Sequence, residues 1–163
     1  MQYALPSDKI DFLRSLIGQK NVKVSRQLFK SDLNQENYEQ LADGSVEFVF
    51  ENGKVLSFLS WVEIESVRIA DVKMPKWGDS YIYKELTKNS FWRQRVNQKI
   101  DKITIFKSIY ASGDNALEFA IEFEFENKTK ACIEYLNEEN ISDTLRVIEE
   151  NEETRCTQTV ISG

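Results

Sequence analysis

One run constrains this chain more than any other: Phe119, Ile121, Phe123 and Phe125 alternate with Glu118, Ala120, Glu122, Glu124 and Glu126. Successive side chains of a strand point to opposite faces, so the run demands a strand with one apolar and one acidic side. A slip of one residue would turn the glutamates inward, which fixes the register.

The same period recurs along the chain. Val22 and Val24 run toward Phe29. Val46, Phe48 and Phe50 lead into Asn52-Gly53, the strongest short-range hairpin signal, and Val55, Leu56 and Phe58 return. Trp61 to Ile69 reads as a further strand, as do Ile103 to Phe106, Ala131 to Tyr135 and Leu145 to Ile148. Ile10, Leu13, Leu16 and Ile17 have helical spacing instead, with Ser7 as the expected cap and Gly18 as the stop. Asn89-Ser90 is expected to cap a second short helix over Phe91–Val96, and residues 30–44 are polar with room for a helical turn. Beyond Glu149 the chain turns acidic and then small and polar, so 150–163 is expected to be a flexible tail. The expected fold is α+β, mainly antiparallel sheet with short helices, in one domain over 1–149.

Two halves of the sequence echo each other. Phe12, Arg14, Gln19 and Lys20 match Phe91, Arg93, Gln98 and Lys99 at an offset of 79, and Phe48, Phe50, Glu51 and Asn52 match Phe123, Phe125, Glu126 and Asn127 at an offset of 75. Residues 12–69 and 91–148 are therefore expected to be similar α+β units sharing one core.

The 163 residues include ten Phe, six Tyr and three Trp, ample for a sheet core, and carry a net charge of -6. That charge repels nucleic acid and anionic membrane at long range, so neither is an expected partner. No secretory leader or run of apolar residues long enough for a membrane helix is visible, which points to the cytoplasm. Cys132 and Cys156 have neither metal-binding nor redox spacing and are expected to be reduced thiols.

The chain has no histidine, so no ordinary Ser-His or Cys-His pair is available, and zinc lacks a ligand set. Its turn glycines build no phosphate loop. No catalytic residue, metal site or cofactor is expected. Glu118, Glu122, Glu124 and Glu126 lie about 7 Å apart along their strand face, two residues at roughly 3.4 Å each. Such carboxylates suit a solvated face or a docking surface for a basic partner, and less well an acid pair in a cleft. Residues 84–107 carry a balance of +5 around Phe91 and Trp92, which serves an amphipathic turn more readily than a nucleic-acid grip. The loop Trp77-Gly78-Asp79-Ser80 offers an indole that either caps the core or anchors an interface, with Asp79 beside it.

A small acidic chain of hairpins, with no active site and a carboxylate-lined strand, resembles the immunity proteins of bacterial toxin–immunity systems (contact-dependent inhibition and polymorphic toxins). That resemblance implies a non-enzymatic protein that neutralises a basic toxin domain, such as a nuclease, by occluding it. Glu118, Glu122, Glu124, Glu126, Trp77 and Asp79 are the expected contact residues. A scaffold with a solubilising acidic face and a carboxylate-dependent hydrolase are the alternatives.

Overall fold

The computed structural model describes residues 5–35, 38–61, 66–108, 118–138, 141–150 and 156–162. It is mainly antiparallel sheet. A helix α1 (Ser7–Ser15) precedes β1 (Asn21–Phe29), β2 (Leu41–Ala42), β3 (Val46–Phe50), β4 (Val55–Trp61), β5 (Ser66–Ala70) and β6 (Tyr81–Glu85). The chain continues through β7 (Ile100–Ser108), β8 (Glu118–Phe125), β9 (Lys130–Glu138), β10 (Ile141–Ile148) and β11 (Cys156–Ser162). Five strands form one sheet in the order β5-β4-β3-β1-β6, and six form a second in the order β11-β7-β8-β9-β10-β2.

The alternating residues place the core. Phe48, Phe50, Leu56 and Phe58 from the first sheet meet Ile103, Ile121, Phe123, Phe125 and Ile133 from the second, all at most 1% exposed. Phe48 is edge-on to Phe58, Trp92 and Phe123, with centroids 5.1, 5.2 and 5.4 Å away. Such T-shaped pairs suit the ring quadrupole and add to the burial itself. Leu13 of α1 and Leu16, which caps its C-terminus, join this core.

The two sheets pair their strands in like register. Asn21, Val24 and Ser25 of β1 face Phe50, Phe48 and Glu47 of β3. Ile100, Ile103 and Thr104 of β7 face Phe125, Phe123 and Glu122 of β8. The turns after them agree as well. Phe50 N donates to Lys54 O and Phe125 N to Thr129 O, both at 2.9 Å. Gly53 and Lys128 hold the left-handed position of these turns, at φ 86° and 69°.

Several expectations shift in detail. Pro6, rather than Ser7, precedes the helix; its carbonyl accepts from Lys9 N and Ile10 N at 2.9 and 3.1 Å, leaving Ser7 inside the first turn. The second helix shortens to a 3-10 turn at Trp92–Gln94, where Asn89 Oδ1 accepts from Trp92 N at 2.8 Å. Trp61 and Ile69 belong to different strands, β4 and β5, with 62–65 outside the described residues. The tail expectation is corrected: Cys156–Ser162 is a full strand on β7, from Cys156 opposite Ser108 to Ser162 opposite Lys102. Thr157, Thr159, Val160 and Ile161 are β-branched and favour a strand once an edge is available. The acidic residues before them hid that signal.

A buried cation ties the sheets together. Arg26 takes an inward position between Val24 and Leu28, is fully buried, and meets no carboxylate at hydrogen-bond distance among the described residues. Its guanidinium donates instead to carbonyl oxygens of Gly44 (3.3 Å), Glu39 (3.1 Å), Ala42 (2.7 Å) and Leu145 (2.6 Å). These bonds hold the short β2 between the first sheet and β10. Burial pushes the Arg26 pKa down to about 9, opposed by the charge of Asp43. Gly44 is required here, because a β-carbon on it would lie 1.8 Å from Gln27 O.

Candidate functional site

The strand that led the reading, β8, turns Ile121, Phe123 and Phe125 into the core and Glu122 and Glu124 to the outer face of the second sheet. That face is a lattice of opposite charges. Lys102 on β7 and Lys130 on β9 flank Glu124 in register, with ion-pair distances of 3.6 and 4.0 Å. Lys128 reaches Glu124 at 3.8 Å and Asp101 at 3.5 Å, and Lys130 also reaches Glu122 at 3.9 Å. On the next strands Arg146 pairs with Glu134.

The expectation that these carboxylates face open solvent is corrected at Glu122, which is only 6% exposed. It lies in the row Thr104–Glu122–Cys132, beside an apolar cluster of Phe106, Ala120 and Cys132. Glu124 is half-buried under its lysines, and Glu126 is exposed with Oε1 accepting from Lys99 N at 3.2 Å. The side chain of Glu118 lies outside the described residues, as does that of Cys156. Cys132 is buried.

The outer face of the first sheet is built differently. The segment from Asp71 to Ser80 leaves β5 at one edge and joins β6 at the other, so it straps across the strands between. Side chains on those strands hold it. Ser57 Oγ donates to Val72 O at 2.7 Å, Gln27 Nε2 to Pro75 O at 2.9 Å, and Trp77 N to Gln27 Oε1 at 2.8 Å. Tyr83 donates its hydroxyl to Met74 O. Trp77 stands edge-on to Tyr81 at 5.5 Å and is half-buried, whereas Asp79 is exposed. Trp77 thus caps the sheet edge with part of its ring still in water.

Glu47, 4% exposed, lies under the strap. Its Oε2 finds no hydrogen-bond donor among the described residues. Burial raises its pKa above 4.5, and the charges of Lys73 and Lys23 only partly oppose that.

Beyond the strap, part of the outer face is exposed. Trp61 is 36% exposed at the end of β4, and the Arg68 guanidinium of β5 stacks over its ring at 5.6 Å. Val72, on the strap, is 57% exposed. Sequence reasoning missed Trp61 and Arg68 as a pair. The available signal was the outward parity of Trp61 with Val55, Ser57 and Leu59, opposite to Leu56 and Phe58.

A shallow polar pocket of about 310 Å³ lies among Gln35, Tyr38, Glu39, Gln40, Asn89, Ser90 and Phe91. Burial alone would raise the Glu39 pKa, yet hydrogen bonds from Lys84, Asn89 and Tyr38 outweigh it and hold the carboxyl below 4.5. Lys84 Nζ lies 2.6 Å from Glu39 Oε1, and Asn89 Nδ2 lies 2.8 Å from Oε2. Both oxygens are therefore engaged by the chain itself. Trp92, from the basic stretch, is 1% exposed and belongs to the core.

Among the described residues no three His, Cys, Asp or Glu side chains gather as a metal site, and no helix is long and apolar enough to cross a membrane. No protein-family model matches the chain, and neither a characterised protein nor a solved structure is significantly similar to it.

Proposed function

We propose that this chain is a non-enzymatic protein-binding domain of the immunity type, which neutralises a basic toxin domain by covering it. The observation that carries this reading is the exposed Trp61–Arg68 stack on the outer face of the first sheet. Trp and Arg are the residues most enriched among interface hot spots, and a half-exposed indole under a guanidinium gains most when a partner removes the remaining water. Val72 and the half-buried Trp77 extend the same face.

Charge plays a different part from the one the strand pattern suggested. Glu122 and Glu124 of β8 are matched by lysines of their own sheet, which leaves them little to offer a partner at close range. The net charge of -6 still attracts a cationic toxin at long range and raises its association rate. Steering by the whole chain and anchoring by the Trp61 face are separable roles.

Two similar units form the framework in this reading. The like register of β1–β3 and β7–β8, shifted by 79 and 75 residues, supports an internal duplication, as do the matching turns. The units have diverged outside the core: where the first carries Leu59 opposite Arg68, the second carries Glu134 opposite Arg146. One outer face keeps an aromatic anchor, and the other binds its own charges. The scaffold alternative draws on that second face, whose ion pairs need no partner.

The test is co-expression with the toxin-type protein encoded directly before this gene. Protection of growth and a stoichiometric complex are expected. Absence of such a gene, or of both effects, overturns the proposal.

A further inference from the structure

The edges of the two sheets are treated unequally. Strand edges carry unpaired backbone donors and acceptors, and proteins blunt them with short strands, charges or proline. Here β2 has two residues, β5 has five with Arg68 among them, and β6 has five with Lys84 and Glu85. β11 has seven residues, Cys-Thr-Gln-Thr-Val-Ile-Ser, with no charge, glycine or proline. Among the described residues, no strand lies on the side of β11 away from β7.

We propose that β11 pairs antiparallel with β11 of a second copy of this chain, joining the two six-stranded sheets edge to edge. Two copies at -6 each repel at long range, so they meet most easily where no like charges face each other, and β11 is an uncharged edge long enough to pair, unlike the two-residue β2. A two-fold centred near Thr159 sets Gln158 of one copy against Val160 of the other. Val160 is 55% exposed in the single chain, and the partner strand covers it. The inward Ile161, 3% exposed, stays in the core throughout. A lone strand pair covers far less than the roughly 1,200–2,000 Å² of a standing interface, so the dimer is a weak one that forms as concentration rises.

This dimer uses a different sheet from the proposed toxin contact and responds oppositely to salt. Screening removes the repulsion between copies, so association strengthens with ionic strength, whereas steering of a basic partner weakens. Sedimentation velocity of the full chain, across concentrations and at low and moderate salt, tests it. The wild type is expected to shift from monomer toward dimer, further at higher salt. Val160→Lys and Gln158→Lys, both at exposed positions, are expected to remain monomeric with unfolding midpoints close to wild type. Amide exchange in β11 is expected to slow with concentration in the wild type only. A wild type that stays monomeric throughout, or a dimer that both lysine variants leave intact, overturns the proposal.

Discussion

Phe48 and Phe123 occupy the same register position in different sheets, one opposite Val24 and the other opposite Ile103, and their rings meet edge-on at 5.4 Å. Each fills the centre of the core at 0% exposure. Truncating either to alanine is expected to cost about 3–5 kcal/mol, because a ring-sized cavity remains. A double-mutant cycle by denaturant titration should show a coupling of about 0.5–1.5 kcal/mol between them.

Arg26 supports the sheet junction from inside. Replacing it with leucine leaves carbonyls of Gly44, Glu39, Ala42 and Leu145 without their donor, at an expected cost of about 3–5 kcal/mol. Lysine is expected to recover only part of this, since one ammonium cannot fork as a guanidinium does. Gly44→Ala should be comparably damaging, by clash with Gln27 O. Thermal unfolding of the three variants checks the ranking.

How much of this was legible follows from where each signal resides. The alternation from Phe119 to Phe125 and the Asn52-Gly53 turn are local, so β8 and the β3–β4 hairpin could be read directly. The fate of Glu122 and Glu124 was not local: their cations sit on β7 and β9, and only the strand register brings Lys102 and Lys130 beside them. Arg26 was hidden by its charge, although its inward parity with Val24 and Leu28 pointed to burial. β11 was hidden because its strand exists only through pairing with β7. The Trp61–Arg68 stack likewise depends on β4 and β5 lying side by side.

The ion-pair lattice alters what charge reversal should do. Glu122→Lys is expected to cost about 3 kcal/mol, since it places a second cation beside Lys130 in a buried site. Glu126→Lys, at an exposed position, should stay within about 0.5 kcal/mol of wild type. Urea midpoints at low and high salt separate these outcomes from simple surface screening.

Two carboxylates should respond to acid with opposite signs. The pKa of Glu39 is lowered on folding, so its stabilisation is present above 4.5 and is lost as pH falls through its folded value. Glu39→Gln is expected to be less stable than wild type at pH 7, with the gap closing below pH 4. The pKa of Glu47 is raised, so folding favours its protonated form and that advantage disappears as pH rises through the folded value. Glu47→Gln should be the more stable protein at pH 7 and lose its lead in acid. Melting temperatures of both variants from pH 3 to 8 read the two slopes.

The proposal places the protein partner on the outer face of the first sheet, and not on the acidic run from Glu122 to Glu126 in and just after β8. The direct measurement is binding kinetics with the basic toxin domain that the proposed function requires, comparing wild type, Trp61→Ala with Arg68→Ala, and Glu126→Lys. The Trp61/Arg68 variant is expected to lose at least tenfold in affinity through faster dissociation, while Glu126→Lys changes mainly the association rate, and by less than threefold. Unchanged binding by the Trp61/Arg68 variant, together with collapse of binding in Glu126→Lys, would contradict the claim and return the interface to the second sheet.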